Sequence, residues 1–135
     1  MFKSTFSAAG FALAVAAFSV AALPSQSAEP TVVRKVLMQQ DLPIPGYSTA
    51  LVSVDIPVGG REGRHTHPGA LIVYVLEGAL SLDYEGKQQV TYKAGETFFV
   101  EAGKIHEGIN KGTVPIKALA SFVVPKGQPI TKQAE

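Results

Sequence analysis

Two histidines stand one residue apart, His65 and His67, within GGREGRHTHPGALIVYVLEG (Gly59 to Gly78). The third and last histidine of the chain, His106, lies far along the sequence, just after a Gly-containing turn. Imidazole nitrogens are good ligands for divalent transition metals, and with no cysteine in the chain any ion must be held by nitrogen and oxygen alone. The apolar run Leu71 to Leu76 that follows the pair is rich in β-branched and aromatic residues and reads as a buried strand. If the histidine segment is extended too, His65 and His67 share one face roughly 6.6 Å apart, with Thr66 on the other. Both rings can then reach one ion, since each nitrogen must come to about 2.0–2.1 Å from it. We therefore expect His65, His67 and His106 to meet in one enclosed polar centre.

The rest of the chain reads as the shell that would position them. TVVRKVLM (Thr31 to Met38) is a first strand, and Tyr47 to Ile56 is a long one with Ala50, Val52, Val54 and Ile56 on one apolar face. Asp41 to Gly46, with two prolines and a glycine, is a turn. Leu71–Glu77, Ala79–Tyr84, Lys87–Tyr92, Thr97–Val100 and Thr113–Val124 follow as strands, with Glu85-Gly86 as a two-residue hairpin turn and Pro125 to Glu135 as a polar tail. Eight to ten short strands and no sustained helical period predict an all-β fold, a single antiparallel β-barrel or jelly roll with its core at about residues 47–124.

The N-terminus reads differently. Residues 1–28 run from Lys3 through an Ala/Val/Phe-rich stretch (Ala8 to Leu23) to the small residues of PSQSA. That layout predicts a signal peptide, cut after Ser27 or Ala28, and a periplasmic or secreted domain at 29–135 with no stable membrane anchor after cleavage. Loss of Lys3 lowers the 12 basic residues to 11, which balance 11 acidic ones. A neutral domain without a basic cluster excludes nucleic acid as the expected partner. A domain this small buries a modest core, and we expect a homodimer.

The spacing of these residues resembles the two motifs of the cupin superfamily. Gly59, five residues, His65-Thr-His67, Pro68-Gly69 and Gly78 resemble the first. Gly95, five residues, Glu101, Ala102, Gly103, two residues, His106, three residues and Asn110 resemble the second. The short gap between them is similar to small single-domain bacterial cupins, including the quercetin-dioxygenase-like ones. The resemblance implies a jelly-roll β-barrel with a divalent metal inside, held by His65, His67 and His106. The family's ligand glutamate would fall at Leu71, which has no donor atom, and Glu101 stands where the family has proline. Three imidazoles without a carboxylate suit Zn, Cu, Fe or Ni, with weakened affinity for Mn and Fe(II), and leave the ion its full double charge. Glu107, next to His106, should face away from the metal.

For a small-molecule ligand, the candidate binding residues are Arg64 at the barrel mouth, Tyr74 and Phe98 as apolar lining, and Asn110 beside the second motif. Arg61 shares the first role with Arg64, although solvated loop charges are the commoner role for such arginines. Two functions follow: a metal-dependent, dioxygenase-like enzyme, or a non-catalytic module that binds a metal or small molecule in the periplasm. No catalytic residue beyond the ligands is legible.

Overall fold

The computed structural model describes residues 30–135. The expected signal peptide, 1–28, lies outside the described residues. Among the described residues no helix is long and apolar enough to cross a membrane.

Ten strands form among the described residues: β1 (Val33–Asp41), β2 (Tyr47–Ile56), β3 (His65–Thr66), β4 (Ala70–Glu77), β5 (Ala79–Tyr84), β6 (Val90–Lys93), β7 (Thr97–Val100), β8 (His106–Ile109), β9 (Ile116–Pro125) and β10 (Lys132–Gln133). They make two five-stranded sheets, ordered β1-β2-β9-β4-β7 and β10-β3-β8-β5-β6. Every pairing is antiparallel. Strict alternation drives the assembly. In β2, Ala50, Val52, Val54 and Ile56 turn inward, and in β9, Ile116, Ala118, Ala120, Phe122 and Val124 do the same. Leu71, Val73 and Val75 of β4 meet Leu80, Leu82 and Tyr84 of β5 from the other sheet in one core.

The close approach of strands demands one particular glycine. A Cβ at Gly69 would lie 1.9 Å from the carbonyl oxygen of Val123. Only a residue without a side chain lets the chain leave the histidine segment and enter β4 against β9.

Two expectations are corrected. The turn after β5 is closed by Lys87 N–H donating to the Tyr84 carbonyl at 3.0 Å, but β6 begins only at Val90, so the connection is longer than two residues. The Pro125 to Glu135 segment is not a free tail. Thr131 lines the interior cavity, and Lys132 and Gln133 pair with Thr66 and His65 as β10. Two paired residues are too short a strand to give a period-2 signal, which is why the sequence concealed it.

Candidate metal centre

β3 and β8 bring the distant histidines together. His65 stands directly opposite His106 in the β3–β8 pair, and His67 follows two residues on, on the same face. All three are buried, and their potential ligand atoms lie within 4.8 Å of one another. Ring centroids are 4.4 Å apart for His65–His106, 4.8 Å for His65–His67 and 4.9 Å for His67–His106.

Each ring is fixed from behind by a backbone carbonyl. The Nδ1 of His65 is 2.7 Å from the Gly63 oxygen, that of His67 is 2.8 Å from Ile130, and that of His106 is 3.0 Å from Lys104. A carbonyl can only accept, so each Nδ1 carries the proton and donates it. That tautomer leaves Nε2 with its lone pair, available on the side of the cavity that all three rings line. Burial drives the His67 pKa from 6.5 down to about 4, against the opposing pull of the Ile130 carbonyl, with His65 and His106 adding to the fall. Burial also lowers His106, again against a carbonyl, that of Lys104. Neutral imidazoles with Nε2 lone pairs facing one hollow fit a divalent cation, which His65, His67 and His106 would hold.

The loop before β3 is locked to β8. Glu107 is buried and accepts two bonds from Arg61, at 2.9 and 2.7 Å, and one from the Gly63 N–H at 3.1 Å. The paired Arg61 holds the Glu107 carboxyl below the usual carboxylate range. Arg61 therefore holds the loop, not a ligand, and Glu107 points away from the histidines as alternation requires.

The cavity beside the histidines has a volume of about 180 Å³. Its walls are mostly apolar: Val52, Val54, Leu71, Val73, Leu80, Leu82, Phe98 and Phe122 among others, with Arg34, Glu62 and Thr131 as the polar additions. Leu71 is 3% exposed and occupies wall space beside the rings. Glu101 does not replace the missing carboxylate. Its Oε2 accepts the Tyr84 hydroxyl at 2.6 Å, and that bond lowers its pKa.

The four expected ligand-binding residues are placed unequally. Phe98 lines the cavity. Tyr74 does not: it lies on the outward face of β4, 42% exposed, because its neighbours Val73 and Val75 take the inward positions. Arg64 is exposed and faces Asp83 at 3.4 Å, outside the cavity. Asn110 is buried but acts as a clamp. Its Nδ2 donates to the carbonyls of Ile56 and Val114 at 3.0 and 2.9 Å, and its Oδ1 accepts from Gly112 N–H at 3.0 Å. Arg34, Glu62, Ile130 and Thr131 were missed. Arg34 and Glu62 looked like ordinary charges; the wrap of β1 brings Arg34 to the cavity, the loop before β3 brings Glu62 there through its bonds to Gly108, and the C-terminal segment brings Ile130 and Thr131.

Two antiparallel sheets around a histidine-lined hollow define a double-stranded β-helix with a candidate metal centre. The chain belongs to the cupin family: the family's cupin domain matches residues 52–129. It is 32% identical over 90 residues to germin-like protein subfamily 1 member 20 of Arabidopsis thaliana, a match covering 58% of this chain and 40% of that protein. The chain spans 38–41% of the length of the curated relatives it matches. Its fold is similar to that of an uncharacterized conserved protein with a double-stranded beta-helix domain from Klebsiella pneumoniae. There the TM-score is 0.62 and identity 23%, covering 83% of this chain and 89% of that one. It is also similar to a recombinant oxalate oxidase in complex with glycolate, with TM-score 0.56 and 26% identity, covering 63% of this chain and 45% of that one.

Proposed function

We propose that this protein is an exported cupin that holds a divalent metal on His65, His67 and His106 and acts on a small oxygenated molecule in the adjoining cavity. One observation carries the reading: three buried imidazoles, each with Nδ1 committed to a carbonyl, present Nε2 to one apolar hollow. A bound ion would supply Lewis acidity and open positions for substrate or dioxygen. The chain's own contribution is to hold the rings neutral and oriented, to exclude water with Leu71, Phe98 and Phe122, and to limit size. A cavity of about 180 Å³ is a little larger than the ~150 Å³ that accepts benzene, so its enclosed part suits a one-ring or short-chain molecule. The likeness to an oxalate oxidase structure with glycolate supports a small oxygenated ligand.

A second reading is a binding module without turnover. It is favoured by the state of the nearby acids: Glu62 is tied to Arg34 and the Gly108 N–H, and Glu101 to Tyr84, which leaves no evident general base. Elemental analysis of the mature protein, then oxygen-uptake and product assays on small hydroxy acids and phenols, separate the two. Stoichiometric metal with turnover that His106→Ala abolishes supports the enzyme. Metal and ligand binding without product supports the module, and no metal after growth with Zn, Fe, Cu, Ni and Mn removes the metal centre from either reading.

The proposal includes cleavage of residues 1–28, checked by N-terminal sequencing of the fractionated protein. It also includes a homodimer. The outward apolar patch of Ile72, Tyr74, Phe99 and Val123 supports self-association, and sedimentation of the wild type against Ile72→Lys checks it.

A further inference from the structure

At the cavity wall a cation from the edge strand meets an acid from the histidine loop. Arg34 of β1 places Nη2 2.9 Å from Glu62 Oε1, with 39% of the arginine side chain exposed and 13% of the glutamate. Both residues line the cavity. The three histidines line the same cavity.

Glu62 has a second anchor that does not depend on Arg34. Its Oε2 accepts the Gly108 N–H at 3.1 Å, and it fits there because residue 108 lacks a side chain: a Cβ would lie 2.5 Å from that oxygen. Among the described residues the Arg34 side chain has no second hydrogen bond, and its strand β1 pairs with β2 at the margin of its sheet. A guanidinium carries five N–H donors in a planar fork suited to a carboxylate, and Glu62 Oε1 takes one of its nitrogens.

We propose that Arg34 is the anion-binding residue of this cavity, selecting a small ligand with an apolar body and one carboxylate, and that Glu62 is its internal counter-ion when no ligand is bound. This rests on the reading of the cavity as a small-molecule site. The carboxylate of the ligand displaces Glu62 from the fork, while Glu62 stays on Gly108. The body of the ligand packs on Phe98, Phe122 and Leu71. The alternative role for the pair is a latch that holds β1 to the histidine loop. A latch does not distinguish charged from neutral ligands.

Benzoate and benzamide have the same shape and differ in charge, and both match the cavity's size. Their affinities are measured calorimetrically on the full mature chain, metal-free and zinc-loaded, for wild type, Arg34→Met, Arg34→Lys and Glu62→Gln. The wild type should bind benzoate at least about tenfold more tightly than benzamide. Arg34→Met should lose about tenfold on benzoate and leave benzamide unchanged, and Arg34→Lys should recover part of the loss. Glu62→Gln, which removes the competing charge, should tighten benzoate. Equal changes on both probes, no change on either, or a wild type that binds neither probe overturns the proposal. A protein that takes up no zinc but still prefers benzoate through Arg34 refutes the metal reading and leaves this one standing.

Discussion

The Nδ1–H of His67 donates to the carbonyl oxygen of Ile130 at 2.8 Å, across 63 residues of chain. The C-terminal segment thus supplies the partner that fixes the tautomer of one candidate ligand. Ending the chain at Gly127 removes that carbonyl and β10 while leaving the sheet of β1, β2, β9, β4 and β7 complete. Loss of the group that orients a ligand imidazole typically costs about 10–100-fold in metal affinity. Zinc competition titrations should show a fall in that range with the circular dichroism of the β-fold retained. Unchanged zinc affinity would remove the segment from the site.

Leu71 faces the cavity from β4, opposite Val100 and Phe122 on its two neighbouring strands. Leu71→Glu introduces an oxygen ligand beside three nitrogens. Affinity for Mn and Fe(II), which favour oxygen donors, should rise by about tenfold or more. The metal-free variant should be less stable by about 1–3 kcal/mol, since a polar group then lacks a partner, and metal should restore the loss. Urea melts with and without Mn, together with Mn titrations, check both. A variant that loses stability and gains no affinity would place the carboxylate out of reach of the ion.

The His67 pKa, lowered from 6.5 to about 4, makes the metal-free protein acid-sensitive. As pH falls from 6.5 toward 4, the unfolded chain takes up a proton that the folded one refuses, so stability drops across that window and is level above it. His106, also lowered, acts in the same direction. Urea unfolding in chelator at pH 7.5, 7.0, 6.5, 6.0 and 5.5 stays above the unfolded carboxylate range, where Glu107 and Glu101 would add a loss of their own, and reads the histidine slope. His67→Gln should make it shallower, with His106 supplying what remains. A wild type equally stable at 7.5 and 5.5 contradicts the burial of neutral rings.

Gly69→Ala tests the packing of the histidine segment on β9. The added Cβ would meet the Val123 carbonyl at 1.9 Å, against backbone that cannot rotate away. The cost should reach or exceed the upper end of the ~1–3 kcal/mol typical of overpacking. Chemical denaturation measures it, and zinc affinity should fall along with stability because His67 is two residues away. A change within about 0.5 kcal/mol, the range of ordinary surface substitutions, would show that the strands can separate at no cost.

Local chemistry was legible from the residues alone. The period-2 pattern of β2 and β9 and the glycine-bounded turns declared an antiparallel β-fold. The spacing of His65 and His67, with His106 in a second matching motif, declared the trio. Those signals survive in one dimension because alternation and turn geometry act over a few residues. The order of the sheets, the two-residue β10 and the wrap of β1 over the cavity left no such trace. They arise from pairings between distant segments, such as His65 with Gln133 and Arg34 with Val54. The same distinction separates Phe98 from Tyr74. Both are aromatic residues on strands, and only the register that turns Val73 inward decides that one lines the cavity while the other faces out. Sequence therefore determined which groups can do chemistry here. Tertiary structure decided which of them meet, because contact between remote residues is set by how the sheets close around a shared core.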